Sequence, residues 1–384
     1  MAGAILVLNA GSSSLKFAVY EADDDPARLA NGQVERLGPA AVLHLKREGD
    51  RESRDLGAAD HRVALTEIMK ALGPVLEGRA VRAVGHRVVH GGVDFAAPVV
   101  ITSEIIEKLQ ALVPLAPLHQ PHNLAAIEAA TAAFPNAAQI ACFDTAFHRG
   151  HPWVNDTFAL PRHFYEEGVR RYGFHGLSYD FITGELQRRM PELARGRVVI
   201  AHLGNGASLC AVREGRSVGS TMGFSALDGL PMGTRCGQID PGVLLYLAGE
   251  HGMSVGEIST LLYRESGLKG LSGISGDMRT LEASDLPEAK EAIDYYVFRL
   301  RREIGAMAAV LQGLDAIVFT GGIGENSARI RQEVCAGLGF LGVEIDPRQN
   351  AAQEEELGVG AVRILRLATD EERVIARAAG AVIR

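Results

Sequence analysis

Short apolar runs alternate along the chain with longer stretches whose apolar residues recur every three or four positions, and this alternation predicts an α/β fold. Ile5-Leu6-Val7-Leu8 is such a run, broken by Asn9-Ala10-Gly11-Ser12-Ser13-Ser14 and resumed as Leu15-Lys16-Phe17-Ala18-Val19-Tyr20. The pattern predicts two strands joined by a small polar turn. It recurs later: Val198-Val199-Ile200-Ala201, then His202 to Ser208, then Leu209-Cys210-Ala211-Val212. Two strand–turn–strand units, each opening one half of the chain, predict an internal duplication.

Between Asp285 and Leu314, the residues Ile293, Tyr296, Val297, Leu300, Ile304, Met307 and Leu311 form one apolar face and predict a long helix. Asp315 to Phe319 reads as a buried strand ending in Thr320-Gly321-Gly322-Ile323-Gly324-Glu325-Asn326, with helix from Ser327 onward. Thr369-Asp370-Glu371-Glu372 has the form of a capping box opening a short last helix. The segment Asp23 to Asp60, rich in charge and glycine, predicts a peripheral hairpin insertion without chemistry. A domain boundary is expected near Asp144 to Asp156, after the strand Gln139 to Phe143.

Length and charge narrow the picture. With 384 residues, two domains are expected, and 47% hydrophobic against 22% charged residues indicates a sizeable core. A net charge of −8 argues against nucleic-acid binding, which needs a basic surface. The cations are 33 Arg and only 6 Lys, so each lysine attracts notice. No run of 18 apolar residues predicts a membrane span. The N-terminus reads as a first strand, not a signal peptide. Cys142, Cys210, Cys236 and Cys335 are far apart, which fits a reducing cytoplasm.

Three predicted strand ends break into glycine-rich loops: Gly11 to Ser14, Gly204 to Gly206, and Gly321 to Gly324. Glycine lets backbone N–H groups converge on an anion, and three such loops far apart in sequence predict a bound nucleotide triphosphate rather than plain turns. Gly11 to Lys16 lacks the second glycine and the Lys-Ser/Thr ending of a Walker loop, and no dinucleotide fingerprint follows a strand. Lys16, one residue past the first loop, is expected to meet phosphoryl oxygens; an edge-strand lysine facing solvent is the competing reading.

In Gly85-His86-Arg87-Val88-Val89-His90-Gly91-Gly92, extended backbone puts Arg87 and Val89 on one face and His86 and His90 on the other. A guanidinium beside an apolar wall suits a small carboxylate, although Arg87 taken alone favours an ordinary ion pair. His86/His90 and His119/His122 lack the further ligands a zinc site needs. Asp144 at a strand end, His175 in Arg170 to Gly176, and Arg235 in the loop Met232 to Gly242 are further polar residues in glycine-punctuated loops. Arg87, His175 and Arg235 would suit a phosphoryl group in transfer, whose charge spreads over three oxygens.

Seven blocks, in order along the chain, closely resemble the acetate kinases: Asn9 to Lys16, His86 to Gly92, Phe143 to His148, Tyr172 to Gly176, His202 to Gly206, Gly233 to Arg235, and Gly321 to Asn326. The resemblance implies the duplicated actin-like ATPase (ribonuclease H-like) fold, two domains around a nucleotide cleft. It further implies a cytoplasmic homodimer without nucleic-acid or membrane partners, and reversible transfer between ATP and acetate to give ADP and acetyl phosphate. Residues 1–148 would form the N-terminal domain, with a helix at about 371–384 packing back on it. Residues 149–370 would carry most nucleotide contacts.

By position, Asn9 and Glu371 resemble the residues that hold Mg²⁺, for which Mn²⁺ could substitute, and Lys16 resembles the ATP-contacting lysine. Arg87 resembles the carboxylate-binding arginine, with Val89, Leu118, Phe174 and Ala226 lining the acyl pocket and His119 nearby. Asp144, His175 and Arg235 resemble the catalytic residues. His202, Leu203, Gly204, Asn205 and Gly206, then Asp277, Met278 and Arg279, then Gly321, Gly322, Ile323, Gly324 and Glu325 resemble the three nucleotide segments. Leu177, Gln238 and Ala226 depart from the family's common Thr, Asp and Pro, and Ala226 bears on acyl specificity. Since acetate is already ionised near neutral pH, no base is needed, and Asp144 is expected to organise magnesium or its waters. A propionate or other short-chain acyl kinase is the nearest alternative. A non-kinase, actin-like nucleotide switch is the more distant one.

Overall fold

The computed structural model describes residues 2–11, 13–23, 25–47 and 49–383. The chain divides into two compact units, one running to Arg149 and resuming at Asp370, the other Gly150–Thr369. Among the described residues no helix is long and apolar enough to cross a membrane.

Among the described residues the first unit holds eight strands: β1 (Ala2–Ala10), β2 (Ser14–Glu21), β3 (Arg28–Glu35), β4 (Gly38–Arg47), β5 (Asp50–Ala59), β6 (Arg79–Val88), β7 (Val99–Val100) and β8 (Ala138–Phe143). They are ordered β5-β4-β3-β2-β1-β6-β8-β7. The second unit holds β9 (Arg197–Leu203), β10 (Ala207–Arg213), β11 (Arg216–Ser220), β12 (Ala316–Thr320) and β13 (Arg363–Arg366), ordered β11-β10-β9-β12-β13.

Within these two orders lies the same five-strand plan. β1 pairs antiparallel with β2 and parallel with β6, and β6 pairs parallel with β8. β9 pairs antiparallel with β10 and parallel with β12, and β12 pairs parallel with β13. The third strand follows suit: β3 on β2, and β11 on β10, both antiparallel. The internal duplication expected from the two strand–turn–strand units is therefore a duplication of whole sheets.

β1 is central, which is why its run is apolar on both faces. Leu6 and Leu8 join Leu15, Phe17 and Val19 in a core closed by Ile68 and Leu72 of the helix His61–Leu76. On the opposite face Ile5 and Gly85 receive the helix Glu371–Val382. A Cβ at Gly85 would stand 2.4 Å from Ile375, so glycine there admits the helix. In the second unit the helix Pro287–Leu311 buries Ile293, Tyr296, Val297, Leu300, Ile304, Met307 and Leu311, the face its period predicts.

Three local expectations need correction. The segment Asp23 to Asp60 is not a peripheral insertion: its β3 is an integral sheet strand, and its β4 and β5 extend one edge beyond the duplicated plan, as β7 extends the other. Its inward face is carried by small residues, Ala30, Gly32 and Val34, with Gly32 lying against the Phe17 ring, so its polar composition hid the strand. The last helix is capped by Asp370, whose carboxylate accepts from the Arg373 N–H at 3.0 Å; Thr369 instead gives its N–H to Glu325. Finally, Gly321 to Gly324 is no loop. β12 passes straight into the helix Gly321–Asn326. Gly321 makes the corner at φ +78°, where a Cβ would sit 2.8 Å from the Leu203 carbonyl oxygen.

Candidate active site

In the first unit, β1, β6 and β8 are parallel neighbours, so their C-terminal ends share one edge of the sheet, the edge where open α/β sheets bind ligands. Asn9, Arg87 and Asp144 stand there. Arg87 presents one edge of its guanidinium to Asp144, with Nε donating to Oδ1 at 3.0 Å and Nη2 to Oδ2 at 2.5 Å. Its Nη1 donates to Asn9 Oδ1 at 3.1 Å. Three of its N–H groups are thus engaged, leaving two of the five an arginine carries.

Asp144 is buried and Arg87 is largely so. Burial works against the charged guanidinium, yet the Asp144 carboxylate, with Glu371 and Glu372 adding to it, holds the Arg87 pKa above its ordinary value. The ion-pair reading of Arg87 is therefore correct as far as it goes. The pair fixes the guanidinium plane and leaves part of the fork for something else.

Val89 is buried just past β6, its N–H donated to Asn123 Oδ1 at 3.0 Å, while Asn123 Nδ2 donates to the Ala10 carbonyl at 2.8 Å. Asn123, absent from the sequence reading, thereby ties the Arg87 segment to the end of β1. Leu118 and His119 are half-buried ahead of the helix Gln120–Ala133. Glu371 opens the last helix. Lys16 is exposed on β2 opposite Asn9, beside a cavity of about 570 Å³ also lined by Arg28, Gln33, His44, Lys46 and Glu372.

His86 and His90 are buried, and burial pushes both down to about 4, so they are neutral at neutral pH. His86 bonds Gln139 at 2.8 Å. Among the described residues no group of three or more His, Cys, Asp or Glu is arranged to hold a metal ion.

The second unit brings together two of the three glycine-rich segments, Gly204 to Gly206 and Gly321 to Gly324, with the segment Asp277 to Arg279, whereas the loop Gly11 to Ser14 belongs to the first unit. A cavity of about 680 Å³ is lined by Gly204 and Asn205 from the β9–β10 turn, Gly276 to Arg279 and Glu282, and Gly322, Ile323, Asn326 and Ser327. That volume falls within the range of small-molecule and cofactor sites. Gly276, Glu282 and Ser327 were not singled out in the sequence; each lies beside a segment that was, within a helical turn, while Asn326 ends the block Gly321 to Asn326. His202, Leu203, Gly206, Gly321, Gly324 and Glu325 do not line the cavity. Glu325 turns back to accept from the Gly321 N–H at 2.9 Å, bracing the corner rather than facing a ligand.

His175 and Arg235 flank the same turn. A Cβ at Gly206 would lie 3.3 Å from His175 Nε2 and 3.7 Å from Arg235 Nη1. His175 has φ 58°, a left-handed backbone that costs a non-glycine residue of order 1–3 kcal/mol and recurs at functional sites. Its Nδ1 meets Ser208 Oγ at 2.8 Å, and its ring stacks on His202 at 4.3 Å between centroids. His202 is held in turn by Ser178 Oγ at 2.8 Å. Arg235 Nη1 donates to the Ala226 carbonyl at 3.1 Å. Phe174 is buried and Ala226 half-buried, so Val89 and Leu118 come from one unit and Phe174 and Ala226 from the other.

The model of the Acetokinase family matches residues 4–377. A curated acetate kinase of Methylocella silvestris is 52% identical, covering 98% of this chain and 97% of its own. One of Nitrobacter hamburgensis is 50% identical over 97% and 94%. Among solved structures, Porphyromonas gingivalis acetate kinase is 36% identical with TM-score 0.90, covering 100% of both chains. A propionate kinase from Francisella tularensis is also 36% identical, with TM-score 0.93 and 98% of each chain covered.

Proposed function

The chain belongs to the acetokinase family, with its duplicated actin-like ATPase fold, and from that premise we propose that it is an ATP:acetate phosphotransferase. A carboxylate oxygen of acetate attacks the γ-phosphorus of ATP, the bond to the β,γ-bridging oxygen breaks, and ADP leaves with the electron pair. The product is acetyl phosphate, and the reaction runs in reverse by the same path. The observation that carries this reading is Arg87: held flat by Asp144 and Asn9, it keeps two N–H groups for a carboxylate. A nucleotide switch has no use for such a receiver.

Each residue then has a role. Arg87 receives acetate, with Val89, Leu118, Phe174 and Ala226 supplying apolar surface and His119 polar support. Asp144 orients Arg87, since both its oxygens accept from the guanidinium; this supports a positioning role over the metal-organising one expected from sequence. His175 and Arg235 stabilise charge developing on the phosphoryl oxygens. Asp277, Met278, Arg279, Gly204, Asn205, Gly322 and Ile323 form the nucleotide wall, and Lys16 meets phosphoryl oxygens.

Asn9 Oδ1 and the Glu371 carboxylate are hard oxygen donors, the type Mg²⁺ takes, and two protein ligands suffice where phosphate and water complete the shell. Asn9 Oδ1 accepts one hydrogen bond and retains a lone pair. These two residues would hold the metal, or Mn²⁺ in its place, which neutralises phosphoryl charge when bound.

The protein is proposed to work as a cytoplasmic homodimer. The helix Pro241–Gly249 supports pairing, with Val243, Leu245 and Tyr246 exposed and none of its residues buried. A helix with this much exposed apolar surface is normally covered.

A hydroxamate assay for acyl phosphate, run with acetate, propionate and butyrate, tests the reaction. Acetate is expected to give the highest kcat/KM, with propionate poorer and butyrate poorer again. One methylene is worth about 1–3 kcal/mol, so the discrimination is about 10- to 200-fold. Val89→Ala should improve propionate relative to acetate, and an unmoved ratio removes Val89 from the pocket. Propionate preferred by the unaltered enzyme would establish the alternative reading.

At Gly322 a Cβ would meet nothing within 4 Å, so a side chain there projects into open space along the cavity wall. Gly322→Val should therefore fold normally, weaken ATP binding about tenfold and leave the acetate KM unchanged. Unchanged ATP affinity in the folded variant would remove the cavity from nucleotide binding.

A further inference from the structure

Arg331, in the helix Ala328–Ala336, is fully buried, the largest side chain to be so among the described residues. It has no carboxylate partner among the described residues. Its five N–H groups instead reach five neutral oxygens. Nε donates to Asn350 Oδ1 at 2.8 Å, Nη1 to the Gly324 and Glu325 carbonyls at 2.8 and 2.9 Å, and Nη2 to Gln353 Oε1 at 2.7 Å and the Asn350 carbonyl at 3.4 Å.

A buried cation without a counter-ion is costly, and an apolar side chain of similar length would fill the space at less cost. Desolvation, with Arg366 nearby, pushes the guanidinium pKa down to about 10, which still leaves it charged at neutral pH. The arrangement therefore needs a reason beyond packing.

The carbonyls it holds supply one. Gly324 and Glu325 end the helix Gly321–Asn326, which contributes Gly322, Ile323 and Asn326 to the wall of the 680 Å³ cavity. Six residues are too few for a helix to persist unaided. Its first N–H is held by the Glu325 carboxylate and its last carbonyls by Arg331, a cation at the C-terminal end where the helix dipole favours one. A relay closes the frame: Arg331 donates to Gln353 Oε1, and Gln353 Nε2 donates to the Asn326 carbonyl at 3.1 Å.

We propose that Arg331 is a positioning residue for nucleotide binding: it fixes from behind the short helix whose front lines the cavity. It never touches the nucleotide. The proposal rests on reading that cavity as the ATP site.

The test is the split between KM values in Arg331→Met, made beside Gly322→Val. Arg331→Met should raise the ATP KM about tenfold while the acetate KM stays within about twofold, and Gln353→Ala should raise the ATP KM about threefold. Arg331→Lys, with one nitrogen in place of three, should fall between wild type and Arg331→Met. Lower Tm with unchanged ATP KM, or both KM values rising together, overturns the proposal in favour of a purely structural role. Should Arg331→Met fail to fold, Gln353→Ala decides: a rise in the ATP KM alone supports positioning, and no rise overturns it. If Gly322→Val also leaves ATP affinity unchanged, it is the nucleotide reading of the cavity that fails. If only the Arg331 and Gln353 variants are silent, this inference alone falls.

Discussion

Arg87→Ala is expected to lower kcat/KM for acetate by about 10²-fold or more, through a higher acetate KM and a slower turnover together. Two N–H groups remain for the substrate, and hydrogen bonds to a charged group contribute about 1.5–3 kcal/mol each, so losing both reaches that size. Acetate held by a fixed fork is also oriented for attack, which is why kcat should fall as KM rises. A second consequence is separable. Removing the guanidinium takes its charge partner from the buried Asp144 carboxylate, and breaking a buried pair costs about 3–5 kcal/mol of stability. Thermal unfolding and steady-state kinetics should therefore both register the substitution, while ATP affinity at the second unit's cavity stays near wild type. Arg87→Lys keeps the charge but loses the planar fork, and should restore stability better than activity. An acetate KM unchanged in folded Arg87→Ala would remove Arg87 as the receiver.

The duplicated fold was legible because β1 and β9 are central strands, apolar on both faces, and each turns through glycine and polar residues into a second strand. β3 was not, because its buried face is built from Ala30, Gly32 and Val34, which do not raise hydropathy above their charged neighbours. The corner at Gly321 was misread as a loop for a related reason. Glycine signals both a turn and the left-handed residue that starts a helix abruptly, and only the closeness of the Leu203 backbone distinguishes them. Two nucleotide segments, at Gly204 and Gly321, could be found from their glycines, whereas Asp277 to Arg279 came only from the family resemblance, and Glu282 and Ser327 carry no such mark. The partnership of Arg87 with Asp144 links residues 57 apart in sequence. It follows from the adjacency of β6 and β8, which composition does not encode. Ser178 in the helix Gly176–Arg189 and Ser208 on β10 hold His202 and His175 by their Nδ1 atoms, and a lone serine inside a helix or strand carries no such signal in the sequence.

Arg235→Ala is expected to lower kcat by about 10²-fold or more with little change in either KM. Its guanidinium is not placed as a ground-state receiver. One nitrogen is tied to the Ala226 carbonyl, and the head abuts Gly206 in company with His175, beside the segment assigned to the nucleotide. Charge reaches the transferring phosphoryl oxygens fully only in the transition state, so a preoriented cation there affects turnover and not ground-state binding. His175 is fixed in the same manner, by Ser208 at Nδ1 and by a left-handed backbone that other residues would adopt at a cost. Both groups lie beside Gly206, and on the proposed roles both serve the same phosphoryl oxygens, so their effects should not add: Arg235→Ala combined with His175→Ala should cost less than the product of the single losses. Arg235→Lys returns a charge without the fork and should recover only part of the rate. Near wild-type turnover in Arg235→Ala, or a rise in the ATP KM equal to the fall in kcat/KM, would show Arg235 to be a binding residue and leave His175 alone at the transition state.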